Sequence, residues 1–149
     1  MTRTQLGRVC ALDQLPTVIR HKPKLYIVNS QPRQRPGRHW LALYFPKVGS
    51  AEFFDSLGHE PSYYHWRLER YLKRQGDTYK RNKSRYQQVG TNTCGQFCLY
   101  YAYQRCSRRS MTDIELDFKK EDLDYNEELV REFSANWTLE RDLESLTLH

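Results

Sequence analysis

A chain of 149 residues with a mean hydropathy of −0.88, 28% charged and 13% aromatic residues has the length of one domain and enough large side chains to fill a single core. That excludes a disordered chain, and with no apolar run near about 18 residues and no signal-peptide pattern, neither a spanning nor an exported type is expected. The net charge of +6 is divided: residues 1–112 hold 20 Lys/Arg against 6 Asp/Glu, and residues 113–149 hold 4 against 12. A basic body with an acidic end fits an internal charge match or an anionic partner. Four cysteines, Cys10, Cys94, Cys98 and Cys106, are too few for a disulfide scaffold, and three of them share one helical segment. Free thiols in a reducing compartment follow, so we expect a soluble, intracellular protein of the cytoplasm or nucleus.

Residues 1–16 show little periodicity. Lys24–Asn29 is an aliphatic run that predicts a buried strand. Residues 30–38 form a basic loop punctuated by Pro and Gly. A strand apolar on both faces, His39–Phe45, is followed by a turn and a return strand, Glu52–Ser56. A three-residue loop with Gly49 at positive φ sets the hairpin register so that Leu41 faces Asp55. His39 and Asp55 then lie diagonally on one face, and one extra loop residue would part them.

Ser62 caps an expected helix over 63–74, with Tyr64, Leu68, Tyr71 and Leu72 as its apolar stripe and Gly76 as its stop. Residues 79–86 suggest an edge strand. Gly90-Thr91-Asn92-Thr93 then runs as a loop into a helix that opens at Cys94, where Phe97/Tyr101 and Cys98/Ala102 repeat at helical spacing. Two further helices are expected, one from a Thr112–Glu115 capping box through about Phe118 and one over 126–136 with Leu129, Val130 and Phe133 inward. Residues 1–137 make the domain and 138–149 an acidic tail.

Alone, Cys94 fits a buried small residue as well as a nucleophile. Its place at a helix start, where unpaired N–H groups favour a thiolate, gains meaning only with partners. Cysteine-based acyl transfer needs an imidazole, an orienting acid and an oxyanion donor. His39 can serve as base, Asp55 can hold its ring, and Gln88, six residues before Cys94, can donate to the oxyanion together with the Cys94 N–H. Gln87 competes with Gln88; spacing favours Gln88. Gly95 leaves room beside the sulfur. The cysteines and His39 lack zinc-ligand spacing, so no metal is expected.

His39-Trp40 ahead of an aromatic hairpin, Asp55-Ser56-Leu57-Gly58, and Gln88 six before Cys94-Gly95 resemble the ubiquitin-like-protein-specific cysteine protease superfamily, which includes the SUMO proteases and the adenovirus maturation protease, adenain. With Asp13-Gln14-Leu15-Pro16, Ile27-Val28-Asn29, Pro36-Gly37 and Asn92-Thr93-Cys94-Gly95-Gln96-Phe97-Cys98, the pattern is most similar to adenain-like proteases of Maverick/Polinton-type elements and related viruses. It covers residues 7–105. The resemblance implies an α+β fold of the papain-like clan, a mixed β-sheet packed against a central nucleophile-bearing helix. It implies a thiol peptidase with His39, Asp55, Cys94 and Gln88 at its centre, and Trp40 and Gly95 as substrate contacts. No cofactor is required, although DNA or a peptide can activate relatives, and virion association is in keeping. The domain is expected to lack the amino-terminal helix that often precedes the Asp-x-Leu-Pro stretch.

The substrate is expected to be protein, of viral or transposon structural type. Two alternatives stay open: a SUMO or ubiquitin-like deconjugating isopeptidase, against which the Gly90-Thr-Asn-Thr sequence argues, and a degenerate fold kept for binding nucleic acid or protein. For the last, Arg67, Arg70, Lys73, Arg74, Lys80, Arg81, Lys83 and Arg85, interspersed with tyrosines, form the candidate nucleic-acid surface. No membrane partner is expected.

Overall fold

Strands that are apolar at every position need cover on both faces, and that requirement sets the architecture. A computed structural model describes residues 6–31 and 39–137. The expected 138–149 tail and the Pro36-Gly37 turn lie outside these residues. Five strands form one sheet in sequence order: β1 (Leu6–Ala11), β2 (Lys24–Asn29), β3 (Trp40–Phe45), β4 (Ala51–Phe54) and β5 (Tyr79–Arg81). The central pairs are antiparallel, and β1 on β2 and β5 on β4 are parallel. The sheet is therefore mixed, as expected.

Side-chain alternation divides the core into two layers. Leu25, Ile27, Ala42, Tyr44 and Phe54 face helix α2 (Cys94–Cys106), α3 (Met111–Glu115) and α4 (Leu123–Asn136). Tyr26, Val28, Leu41, Leu43, Phe45 and Phe53 face α1 (Leu68–Gly76) through Leu68 and Leu72. Glu52 is the polar exception in β4. It accepts from Arg105 at 2.9 Å and from the Tyr101 hydroxyl at 2.6 Å, which ties the far end of α2 to the sheet.

Most sequence expectations hold. The helix at Cys94 starts there, the hairpin register pairs Ala42 with Phe54 and so carries Leu41 opposite Asp55, and Gly49 has positive φ. Three differences have physical causes. Strand β1 shows little period because it is an edge strand, with Val9 left 42% exposed. Helix α1 begins at Leu68 rather than 63, because 61–63 form a 3-10 turn. Helices α3 and α4 are capped earlier than expected, by Ser110 and Asp122, whose side chains accept from the N–H groups of Asp113 and Tyr125.

The exit from β4 is tightly specified. Gly58 has φ 77°, and a Cβ there would meet the Ser84 backbone at 2.9 Å. Only glycine lets the two segments approach. Gly58→Ala should cost about 1–3 kcal/mol, read as a lower denaturant midpoint at unchanged slope; a midpoint equal to that of the parent would contradict this packing.

Candidate active site

Three elements bring the site together. β3 begins just after His39, β4 ends just before Asp55, and α2 begins at Cys94. The diagonal His39–Asp55 relation of the hairpin places Nε2 of His39 2.6 Å from Oδ1 of Asp55. Cys94 interacts with the same ring, and each of the two groups shifts the other's pKa. As the first residue of α2, Cys94 has an amide N–H with no acceptor inside the helix.

Asp55 is fully buried, so its carboxylate must be satisfied locally. Besides His39, it accepts from the backbone N–H of Leu57 and of His59, each at 3.0 Å, and from the Tyr64 hydroxyl at 2.6 Å. Buried Asn82 clamps its backbone, accepting from Asp55 N at 2.9 Å and donating to Asp55 O at 2.6 Å. Tyr64 also stacks on His39, with centroids 5.3 Å apart and planes 14° from parallel. The sequence reading placed Tyr64 in a helical apolar stripe. Because α1 starts later, it instead closes one side of the site. Burial and the adjacent Asp55 charge raise its phenol far above the ordinary value, so it remains a donor.

The electrostatics distinguish the four cysteines. Burial works against charge on Cys94, but the hydrogen bonds from His39 and the Trp40 backbone, the His39 charge and the Gly95 backbone outweigh it and lower its pKa. Burial raises Cys10 and Cys98, and pushes Cys106 up to about 11. For His39, burial opposes protonation, yet Asp55 and Cys94 together raise it to about 9. Opposite shifts on neighbouring groups favour a thiolate–imidazolium pair.

A cleft of ≈ 350 Å³ opens onto Cys94 and His39, with Tyr63, Tyr64, Gln87 and Thr91 among its walls. Here the expectation for Gln88 needs correcting. Its side-chain amide donates to Asp124 on α4, and it does not line the cleft. Gln87, 2% exposed, does. Its Oε1 accepts from Ser56 Oγ at 2.6 Å, and its Nε2 donates to the carbonyl and hydroxyl oxygens of Thr91, both at 3.1 Å. Neighbouring residues of an extended segment project to opposite sides, and spacing from Cys94 does not reveal which side faces in. Trp40 and Gly95 are also absent from the cleft wall. The Trp40 indole packs on the core, and a Cβ on Gly95 would touch it at 3.5 Å. Through their backbone, both residues help to lower the pKa of Cys94.

The basic residues are spread over several elements. Arg67, Arg70 and Arg74 line a recess of ≈ 270 Å³ with Trp66 and Tyr71, Lys73 pairs with Glu69 at 3.0 Å, and Lys80 and Arg81 belong to β5. Lys83 and Arg85 lie in the loop after β5. Among the described residues, no three His, Cys, Asp or Glu side chains could hold a metal ion, and no helix is long and apolar enough to cross a membrane.

A family model described as adenovirus endoprotease matches residues 13–116. The protease of ovine adenovirus D serotype 7 (isolate OAV287) is 29% identical over 89 residues, which is 52% of this chain and 44% of that protein. Crystal structures of the pS273R protease of ASFV, unlabelled and selenomethionine-labelled, align with TM-scores of 0.44 and 0.45 at 23% and 24% identity. Each alignment covers 69% of this chain, and 40% and 41% of those chains. The chain thus spans less than half the length of the relatives it matches.

The opposed shifts predict a pH window. The thiolate is present below the ordinary thiol range, and the imidazolium persists until pH rises through about 9. NMR titration of His39 should give a midpoint near 9 that falls in Cys94→Ala; a midpoint near 6.5, unaffected by Cys94→Ala, would refute the pair.

Proposed function

The chain belongs to the adenovirus endoprotease family, and from that membership we propose that it hydrolyses peptide bonds in protein substrates with Cys94 as nucleophile. One observation carries this reading: of four buried thiols, Cys94 alone is lowered in pKa, and His39, itself held by Asp55, contributes most to lowering it.

In the proposed reaction the Cys94 thiolate attacks the scissile carbonyl carbon. A C–S bond forms, and the carbonyl π pair moves onto oxygen. The Gln87 amide and the Cys94 N–H receive that oxyanion. The His39 imidazolium gives its proton to the leaving amine as the C–N bond breaks. Neutral His39 then takes a proton from water, whose oxygen attacks the thioester, and Cys94 leaves as thiolate. Asp55 keeps the ring oriented throughout, and Tyr64 fixes both. We assign structural proteins of viral or transposon type as the substrate class ahead of ubiquitin-like conjugates, because the matched family is a viral endoprotease. The reaction itself uses no metal.

A second reading concerns the α1 surface. Trp66 is 69% exposed with the Arg67 guanidinium 4.3 Å from its ring, beside Arg70 and Arg74. Exposed stacking surface next to cations that have no ion pair among the described residues suits nucleic acid. Binding of duplex DNA should weaken steeply with salt, and neutralising Arg67 and Arg70 should reduce the log–log slope by about 1 per lost phosphate contact. Absence of binding at low salt removes this reading.

For the catalytic reading, limiting iodoacetamide at about pH 7, where an ordinary thiol is only a few per cent ionised, should label Cys94 ahead of the other three thiols, and less so in His39→Ala. Cys94→Ala should abolish peptide hydrolysis. Gln87→Ala should raise the barrier by about 2.7–4 kcal/mol, while Gln88→Ala should have a much smaller effect. Full turnover in Cys94→Ala would refute the assignment, and a larger loss in Gln88→Ala would return the oxyanion role to that residue.

A further inference from the structure

Helix α4 carries a buried acid that the proposed chemistry does not use. Glu127 is 1% exposed and lies beneath the segment that holds Gln87. Its Oε1 accepts from the backbone N–H of Gln88 at 3.1 Å and from the Thr91 hydroxyl at 2.8 Å. Its Oε2 is buried and has no hydrogen-bond partner among the described residues. A half-satisfied buried carboxyl is costly, and an apolar side chain would fill the same space more cheaply. The group therefore calls for a use beyond packing.

The Thr91 hydroxyl shows what that use is. It has one proton and three oxygen neighbours able to accept it: Glu127 Oε1 at 2.8 Å, Gln88 O at 2.8 Å and Thr93 Oγ1 at 3.1 Å. A carboxylate is the strongest acceptor of the three. With the proton directed to Glu127, a lone pair of Thr91 Oγ1 faces Gln87 Nε2 at 3.1 Å. The polar chain then runs from the Gln87 N–H to the Thr91 O–H to Glu127. At the other end of the amide, Ser56 donates to Oε1 at 2.6 Å. With the Thr91 carbonyl, which accepts from Nε2 at 3.1 Å, three contacts distinguish the nitrogen of Gln87 from its oxygen. Without Glu127, the Thr91 proton is free to turn toward Gln87, and the Thr91 carbonyl at 3.1 Å is left as the one contact at that end that opposes the flipped amide, whose oxygen would repel an oxyanion.

We propose that Glu127 is a positioning residue that sets the direction of the oxyanion donor, acting through Thr91 and the Gln88 N–H to hold the Gln87 amide nitrogen toward the cleft. The proposal rests on the assignment of Cys94 and Gln87 made above.

Two reagents applied to the whole chain separate this role from a structural one. Iodoacetamide alkylates the Cys94 thiolate by displacing iodide, and no oxyanion forms. p-Nitrophenyl acetate acylates the same sulfur through a tetrahedral oxyanion and releases p-nitrophenolate; the signal remaining in Cys94→Ala is subtracted. The ratio of the two rates reads the oxyanion site alone. Glu127→Ala should lower acylation about 10- to 100-fold and leave alkylation unchanged. Glu127→Gln, which keeps an acceptor oxygen, should recover most of the acylation. Unchanged acylation in Glu127→Ala overturns the proposal, and so does an equal fall in both rates, which marks a structural role. If Glu127→Ala does not fold, Thr91→Val and Thr91→Ser decide instead: acylation lost in the first and retained in the second supports the relay, and equal acylation in both overturns it. Failure of the underlying site looks different. Parent protein that is not alkylated selectively at Cys94, or Gln87→Ala that acylates like the parent, overturns the site assignment and this proposal with it.

Discussion

The carboxylate of Asp55 is the constraint on which the site depends. A fully buried carboxylate is tolerated only when its oxygens are hydrogen-bonded, and here His39, Tyr64 and the N–H groups of Leu57 and His59 supply those bonds. Each bond fixes a different part of the molecule. The His39 bond orients the imidazole, and the Tyr64 bond pulls the 3-10 turn before α1 against the ring. The two backbone bonds shape the turn that ends at Gly58. Asn82, just beyond β5, holds the backbone of the same residue. The parallel β4–β5 pairing, an edge feature of the sheet, thereby becomes part of the support for the site.

Cys94 gains its character from backbone as much as from side chains. Burial alone would raise all four thiols, as it does at Cys10, Cys98 and Cys106. What reverses the direction at Cys94 is its contact with His39 and with the N–H groups of Trp40 and Gly95. Trp40 is the first residue of β3, and its indole packs on the core. The strand start and the helix start meet at the sulfur because the sheet and α2 pack through Ala42, Tyr44 and Phe97. Tertiary packing sets this electrostatic arrangement, and a helix start by itself would not.

The segment 86–91 has no regular structure of its own and is held from outside. Tyr86 N and Gln87 N donate to Ser56 O, and Asn126 on α4 donates to Tyr86 O. Asp124 takes the Gln88 side chain and Glu127 takes the Gln88 N–H. The acidic excess of the carboxyl-terminal part thus has a local use that net charge does not disclose. In the first turns of α4, acids face donors of the loop rather than the basic surface of α1.

The sequence by itself determined the parts whose signal is local or periodic. Strand β2 at 24–29, the start of α2 at Cys94, and the hairpin parity that places His39 with Asp55 follow from apolar runs, Gly49 and the period of two. His39 and Asp55 were therefore legible as a pair, and the order of residue types and the family resemblance added Cys94 to them. The tertiary structure decided the rest. Gln87 and Gln88 are identical in chemistry, so only the partners at Ser56, Thr91 and Asp124 separate them. Tyr64 fits a helical stripe by spacing, and only the 3-10 turn at 61–63 turns it toward His39. Glu127 reads as one acid among many on an acidic helix, until folding buries it under a loop 36 residues earlier in the chain. Contacts between residues far apart in sequence leave no periodic trace, and these contacts choose which of two equivalent side chains lines the cleft.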